Sequence, residues 1–276
     1  KPIEQASGMP NAAYDDPTYF EFERDQVMAK TWAGLTFASE LPQAGYAKPI
    51  EFMGLPLLVV RDKKDNINVF HNVCSHRGMI LVDEEKPVGA LLRCPYHSWT
   101  YDLDGNLKGT PHIGGIAQHK DDRFKCEKHG LKPLRSAIWM DMVFVNLSGD
   151  APSFEEHIAP LEERWKPFLG EDGMGLLRRV NMGGNLEIEV NSNWKLAVEN
   201  YCEAYHLPWV HPGLNSYSKL EDHYHIMKQG AFSGQGTMVY NPNLSETQSF
   251  ADFSELSDKW DKNAEYISFF PNVLLG

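Results

Sequence analysis

Cys74-Ser75-His76-Arg77-Gly78 and Cys94-Pro95-Tyr96-His97-Ser98-Trp99 are the stretches that decide how this chain of 276 residues is read. A Cys-x-His and a Cys-x-x-His stand seventeen residues apart, so each supplies one thiolate and one imidazole. A hairpin or short excursion between them would bring the four ligands together. Two thiolates with two neutral imidazoles suit a tetrahedral zinc ion, or a cluster of two irons and two sulfides with both Cys on one iron and both His on the other. Zinc fingers usually pair Cys with Cys and His with His, whereas each loop here mixes the two, an order that favours iron. Gly78 and Pro95 suit tight loops whose amides can hydrogen-bond bridging sulfides and raise the reduction potential.

Tyr101-Asp102-Leu103-Asp104-Gly105 follows the second loop. Together the three stretches resemble the Rieske loops of the ring-hydroxylating oxygenase family. The resemblance implies a [2Fe-2S] cluster held by Cys74, His76, Cys94 and His97 on a β scaffold.

A second constellation begins at Asn193-Trp194-Lys195 and continues Glu199-Asn200-Tyr201-Cys202-Glu203-Ala204-Tyr205-His206, ending with Val210-His211. Read as a helix from Trp194 to Leu207 stopped by Pro208, it places Glu199, Glu203 and His206 on one face. Pro208 can then turn His211 back toward His206. Two imidazoles with a carboxylate nearby begin a two-His-one-carboxylate site, which leaves positions open for dioxygen on Fe(II). The segment resembles the iron-binding helix of the same oxygenase family. By that resemblance His206 and His211 are ligands of a mononuclear iron, and Glu203 and Asn200 are catalytic residues. Glu203 would bridge to His97 of a neighbouring subunit. Many members carry Asp at the bridge; Glu there resembles the branch acting on quaternary ammonium compounds such as carnitine, glycine betaine and choline. The family's third iron ligand, a carboxylate, is expected beyond Gly276, so the sequence reads as part of a longer protein. His223 and His225 read as surface or packing positions in a strand.

A net charge of −12 and a pI near 5.4 argue against binding to nucleic acid or an anionic membrane. Of four Cys, two are claimed as ligands, which leaves Cys126 and Cys202 without a disulfide framework and points to the cytoplasm. No segment has the apolar length of a membrane span. Residues 1–38 read as an arm and a helix packing on the catalytic domain, with Asp16 as cap, Pro17 in the first position and an end near Trp32. Residues 39–152 read as the Rieske domain, with strands at Leu55–Val60, Ile67–Phe70, Ala90–Arg93, Trp99–Leu103 and Ile138–Leu147, and a hairpin turn at Asp104-Gly105-Asn106. Residues 153–276 read as the catalytic domain: a helix over 153–169 capped by Ser153, then strands at Gly183–Val190, Tyr224–Met227, Thr237–Tyr240 and Tyr266–Phe270. The fold class is α+β, an all-β Rieske domain followed by an α/β domain that, by the resemblance, is helix-grip-like with an antiparallel sheet.

The family implies a terminal oxygenase that uses O2 and electrons from NAD(P)H, delivered by a partner reductase or a ferredoxin, to hydroxylate or oxidatively demethylate a small organic substrate. It also implies a head-to-tail homotrimer. The alternatives are a dioxygenase acting on an aromatic acid or ring, and a Rieske electron carrier, which would need the first constellation but not the second.

Overall fold

The computed structural model describes residues 5–170, 173–177, 179, 186–240, 260 and 262–276. The chain divides into two compact units, Gly34–Ala151 and a second formed by Lys1–Ala33 with Pro152–Gly276.

The N-terminal segment of the second unit carries α1 (Ala12–Asp15) and α2 (Pro17–Glu23). Asp16 caps α2 by accepting from the Thr18 amide at 2.8 Å, with Pro17 in the first turn. The helix passes into a π-turn over Arg24–Met28 and stops there, short of Trp32. Trp32 is fixed by tertiary contacts instead: its indole donates to the Pro152 carbonyl at 3.0 Å and packs edge-on against Phe154.

The Gly34–Ala151 unit is built almost wholly from strands. They are β1 (Ala33–Phe37), β2 (Tyr46–Phe52), β3 (Leu55–Arg61), β4 (Ile67–His71), β5 (Lys86–Pro87), β6 (Leu91–Arg93), β7 (Thr100–Asp102), β8 (Leu107–Gly109), β9 (Pro133–Trp139) and β10 (Met142–Asn146). Seven form one sheet in the order β1-β10-β9-β4-β3-β2-β5, and β6-β7-β8 form a small second one. Leu57 to Val60 of β3 are all buried, because both faces of the strand are covered. Leu58 and Val60 join a core with Phe70, Trp99 and Tyr101, whereas Val59 joins Val69, Val143 and Val145. The run Ile138–Leu147 is two strands rather than one. Met140 and Asp141, at φ +50° and +66°, make the two-residue turn that matches strand twist, without the Gly or Asn that would announce it. β7 and β8 are joined through Gly105 at φ +84°, and the Asp102 carboxylate accepts the amides of Asp104 and Asn106.

In the second unit α3 (Phe154–Leu169) starts with a complete capping box between Ser153 and Glu156. α4 (Gly173–Leu176), α5 (Trp194–Tyr201), α6 (Leu207–Val210) and α7 (Pro212–Asn215) precede an antiparallel meander of β11 (His223–Lys228), β12 (Phe232–Thr237), β13 (Ala264–Phe269) and β14 (Val273–Leu275). Residues 186–190 of the expected Gly183–Val190 strand have no regular structure, and 183–185 lie outside the described residues. The expected strand at Thr237–Tyr240 is displaced to Phe232–Thr237. Two glycines in F-S-G-Q-G-T weaken the local strand signal, and the Thr237 hydroxyl bonds Val239 and draws the chain out of the ladder. Arg164 of α3 grips the buried Glu265 of β13 with two hydrogen bonds of 2.9 and 2.7 Å, joined by the Trp165 indole. No helix among the described residues is long and apolar enough to cross a membrane.

Candidate metal centres

The two Cys loops fold into the same knuckle. Cys74 donates its amide to the Met79 carbonyl at 2.8 Å, and Gly78 returns a bond to the Cys74 carbonyl at 3.0 Å. Cys94 and Trp99, then Ser98 and Cys94, repeat the pattern at 2.8 and 3.0 Å. Each knuckle needs a left-handed residue in its fifth position, Gly78 at φ +74° and Ser98 at φ +57°. Both Cys are 1 % exposed, and the rings of His76 and His97 meet edge-on at 4.7 Å. His76 stacks on Trp99 at 4.5 Å. The His97 Nδ1 atom is buried without a hydrogen-bond partner, a costly state for a ring nitrogen that a metal would relieve. Ring beside ring, with the thiols also adjacent, fits a two-iron cluster with one iron on each pair.

The surroundings tune these donors. Burial, above all, pushes the Cys74 thiol up, while the Tyr101 hydroxyl and the His76 amide oppose it. Burial, followed by the charges of His97 and Arg77, lowers His76 and favours the neutral ring that ligates. The Tyr101 hydroxyl lies 3.1 Å from Cys74 Sγ and 3.0 Å from Ser75 Oγ. Ser75 spends its own hydroxyl proton on the His129 carbonyl at 2.6 Å. With Cys74 as a thiolate, the Tyr101 proton goes to sulfur, the stronger acceptor. The buried Asn72 closes the first loop from below, donating to the Val82 carbonyl and accepting the amides of Leu81 and Val82. Neither role was read from the sequence, although Tyr101 stands in the quoted Tyr-Asp-Leu-Asp-Gly stretch at an inward position of a hairpin strand.

The second constellation departs from the expected helix. α5 ends at Cys202 because the Glu203 carboxylate takes the amides of Tyr205 and His206, which a continuing helix would give to the carbonyls of Tyr201 and Cys202. Pro208 therefore begins α6 rather than ending α5. Glu199, Glu203 and His206 do not share a helix face: Glu199 accepts from the Tyr14 hydroxyl at 2.6 Å. Glu203 instead meets His206 directly, carboxylate to Nδ1, at 2.5 Å. That contact orients the ring and leaves Nε2 as the atom a metal would take. His211 is turned back as expected, its ring 5.2 Å from that of His206. Both line a cavity of about 170 Å³ with Asn200, Tyr201 and Tyr266. Burial raises Tyr201 to about 12, so it stays a neutral phenol. The Glu203 side chain is 38 % exposed. Among the described residues no set of three or more His, Cys, Asp or Glu is gathered closely enough to complete a metal site.

The same cavity is lined by His223 and Gln235, which were not read as part of any site. Gln235 is twenty-four residues beyond His211, and no local motif points to it. Its link to the site exists only once β12 packs against the end of α5.

Two family models match the chain. Residues 31–120 match the family model of the Rieske [2Fe-2S] domain, and residues 177–276 match that of the ring hydroxylating alpha subunit, catalytic domain. The chain is 32 % identical to the glycine betaine monooxygenase oxygenase subunit of Chromohalobacter salexigens, over 78 % of this chain and 45 % of that protein. It is 29 % identical to the carnitine monooxygenase oxygenase subunit of Escherichia coli K12, over 92 % of this chain and 64 % of that one. The chain thus spans about half to two thirds of the length of these relatives. A crystal structure of the quaternary ammonium Rieske monooxygenase CntA shares its fold, with a TM-score of 0.75 at 24 % identity over 96 % of this chain and 66 % of that one. With a Rieske domain ahead of an alpha-subunit catalytic domain, the chain belongs to the Rieske-type ring-hydroxylating alpha-subunit family.

Proposed function

We propose that this chain is the terminal oxygenase component of a Rieske-type oxygenase acting on a quaternary ammonium compound, by hydroxylation or oxidative demethylation. The observation that carries the reading is the Glu203–His206 pair, with His211 beside it, in a chain that also holds the paired Cys and His knuckles. An electron carrier has no use for the first of these. Cys74, His76, Cys94 and His97 would hold the cluster, and His206 and His211 the mononuclear iron. Bound there, the cluster supplies single electrons and the Fe(II) activates dioxygen. The protein's own part is to hold the two imidazoles, fix the His206 tautomer through Glu203, and shape the cavity that Asn200 lines.

Glu203 is also the residue proposed to accept a hydrogen bond from His97 of a neighbouring subunit. Its exposure supports this, and a closed head-to-tail trimer would satisfy every such bridge. The electrons would come from NAD(P)H through a partner reductase. Free cysteines throughout support a cytoplasmic setting. Glu at the bridge and the activities named for the relatives support the quaternary ammonium class over an aromatic substrate.

The test is dioxygen uptake by the full-length protein with NAD(P)H and a reductase, against betaines, carnitine, choline and aromatic carboxylates, with product identification. Uptake coupled to a quaternary ammonium compound, with release of an aldehyde, is expected. Coupling to an aromatic compound instead would overturn the substrate class while leaving both metal sites standing.

A further inference from the structure

The turn that carries Glu203 and His206 is held from the sheet side by one side chain. Gln235 is 6 % exposed on β12, and its Nε2 donates to the Glu203 carbonyl at 2.8 Å and to the Tyr201 carbonyl at 3.2 Å. These carbonyls need outside donors. The Tyr201 oxygen lies at the end of α5 and has lost the Tyr205 amide to the Glu203 carboxylate. With both amide protons committed, Gln235 Oε1 can only accept, and it does so from His223 Nδ1 at 2.9 Å. His223 must then carry its proton on Nδ1. Its Nε2 meets the hydroxyl of Ser218, a wholly buried residue, at 2.9 Å. With His223 neutral, the chain has a single consistent polarity: Ser218 hydroxyl to His223, His223 to Gln235, Gln235 to the Tyr201 and Glu203 carbonyls. Register makes it possible, since Gln235 pairs with His225 across β11 and β12 and His223 is its diagonal neighbour on the same face.

We propose that Gln235 is a positioning residue for the Glu203–His206 turn, and that the Nδ1-protonated tautomer of His223 locks it in place. The proposal rests on the reading of Glu203 and His206 given above. It also accounts for His223, which lines the same cavity as His206 and His211 but has both ring nitrogens occupied within the protein. His223 is thereby unsuited to complete the iron's ligand set. Gln235 acts on the site through the backbone of the turn, so its loss displaces the Glu203 carboxylate and the His206 ring together.

The test uses full-length, metal-loaded protein and a pair of substitutions at each of two positions. Gln235→Leu removes the donor, and Gln235→Glu sets a carboxylate against two carbonyl oxygens. His223→Leu removes the lock, and His223→Asn restores an N–H donor close to where Nδ1 stood. Gln235→Leu, Gln235→Glu and His223→Leu are expected to lower kcat by about tenfold to a hundredfold, the scale of a displaced catalytic group, with little change in KM. Oxidation of the reduced cluster in a single turnover should slow in step, while the cluster's visible spectrum is kept. His223→Asn should recover most of the loss suffered by His223→Leu, which a space-filling role does not explain. If Gln235→Leu does not fold, the His223 pair decides alone. A rise in KM at constant kcat, or equal behaviour of His223→Leu and His223→Asn, would overturn the proposal. His206→Ala serves as the control for the underlying reading: if it retains turnover, that reading fails, whereas inactive His206→Ala beside fully active Gln235→Leu defeats only the positioning role.

Discussion

Tyr101 shows how a single hydroxyl can bear on a centre it does not ligate. Its proton is directed at Cys74 Sγ because a thiolate is a stronger acceptor than the Ser75 hydroxyl oxygen 3.0 Å away, and a hydrogen bond to a ligand sulfur favours the reduced, more negative cluster. Tyr101→Phe is expected to keep the cluster and lower its midpoint potential by about 40 mV, the one-electron equivalent of about 1 kcal/mol of hydrogen bonding. A redox titration followed by EPR measures this; an unchanged midpoint would show that the proton is on Ser75. A second residue governs acid stability. His157 is packed between Phe154 and Phe269, with Nε2 unpartnered, and burial holds its pKa down to about 4 against an ordinary 6.5. Between those values the unfolded chain binds a proton that the folded one refuses. The neutral ring's contribution is therefore complete above pH 6.5 and is lost as pH falls toward 4. His157→Leu should flatten that part of the stability profile in denaturant titrations run across it, and an unaltered slope would count against the assignment.

At the scale of elements, α5 is the piece through which the N-terminal segment reaches the proposed iron site. Lys195 of α5 pairs with Glu23 of α2 at 2.6 Å, their side chains 7 % and 9 % exposed. The Trp194 indole also donates to Glu23, the Tyr14 hydroxyl to Glu199, and the Asn193 amide to the Tyr14 carbonyl. Lys195→Met strands a buried carboxylate and should cost about 3 to 5 kcal/mol in denaturant unfolding, most of it recovered when Glu23 is also replaced by Leu. A loss below about 1 kcal/mol would mean that Glu23 finds water instead. The same helix shows where sequence reading succeeds and where it stops. Ser153 with Glu156, and Asp16 with Pro17, announce their helices because the capping chemistry is local. The mixed Cys and His loops are equally local, and their residues meet in the structure. The end of α5 was misplaced because it is decided by a carboxylate that competes for amides, and helical periodicity does not register that contest. Gln235 and the Met140-Asp141 turn escaped for related reasons. One acts only through tertiary packing, and the other adopts left-handed backbone without the residues that signal it.

For the whole molecule, the proposed bridge from His97 to Glu203 makes activity a property of the assembly. Chains carrying Cys94→Ala and chains carrying His206→Ala should each be inactive, and mixed assemblies of the two should regain activity wherever an intact cluster faces an intact iron. Mixtures that stay inactive despite verified exchange of subunits would favour transfer within one chain. The claim beneath this, that one chain holds two different iron centres, is tested most directly by assaying iron and acid-labile sulfide in wild-type and His206→Ala protein, with EPR of the reduced samples. Wild-type protein should hold iron in excess of sulfide, with His206→Ala losing the excess while keeping the sulfide and the cluster signal. Iron equal to sulfide in both proteins, or zinc without sulfide, would contradict it.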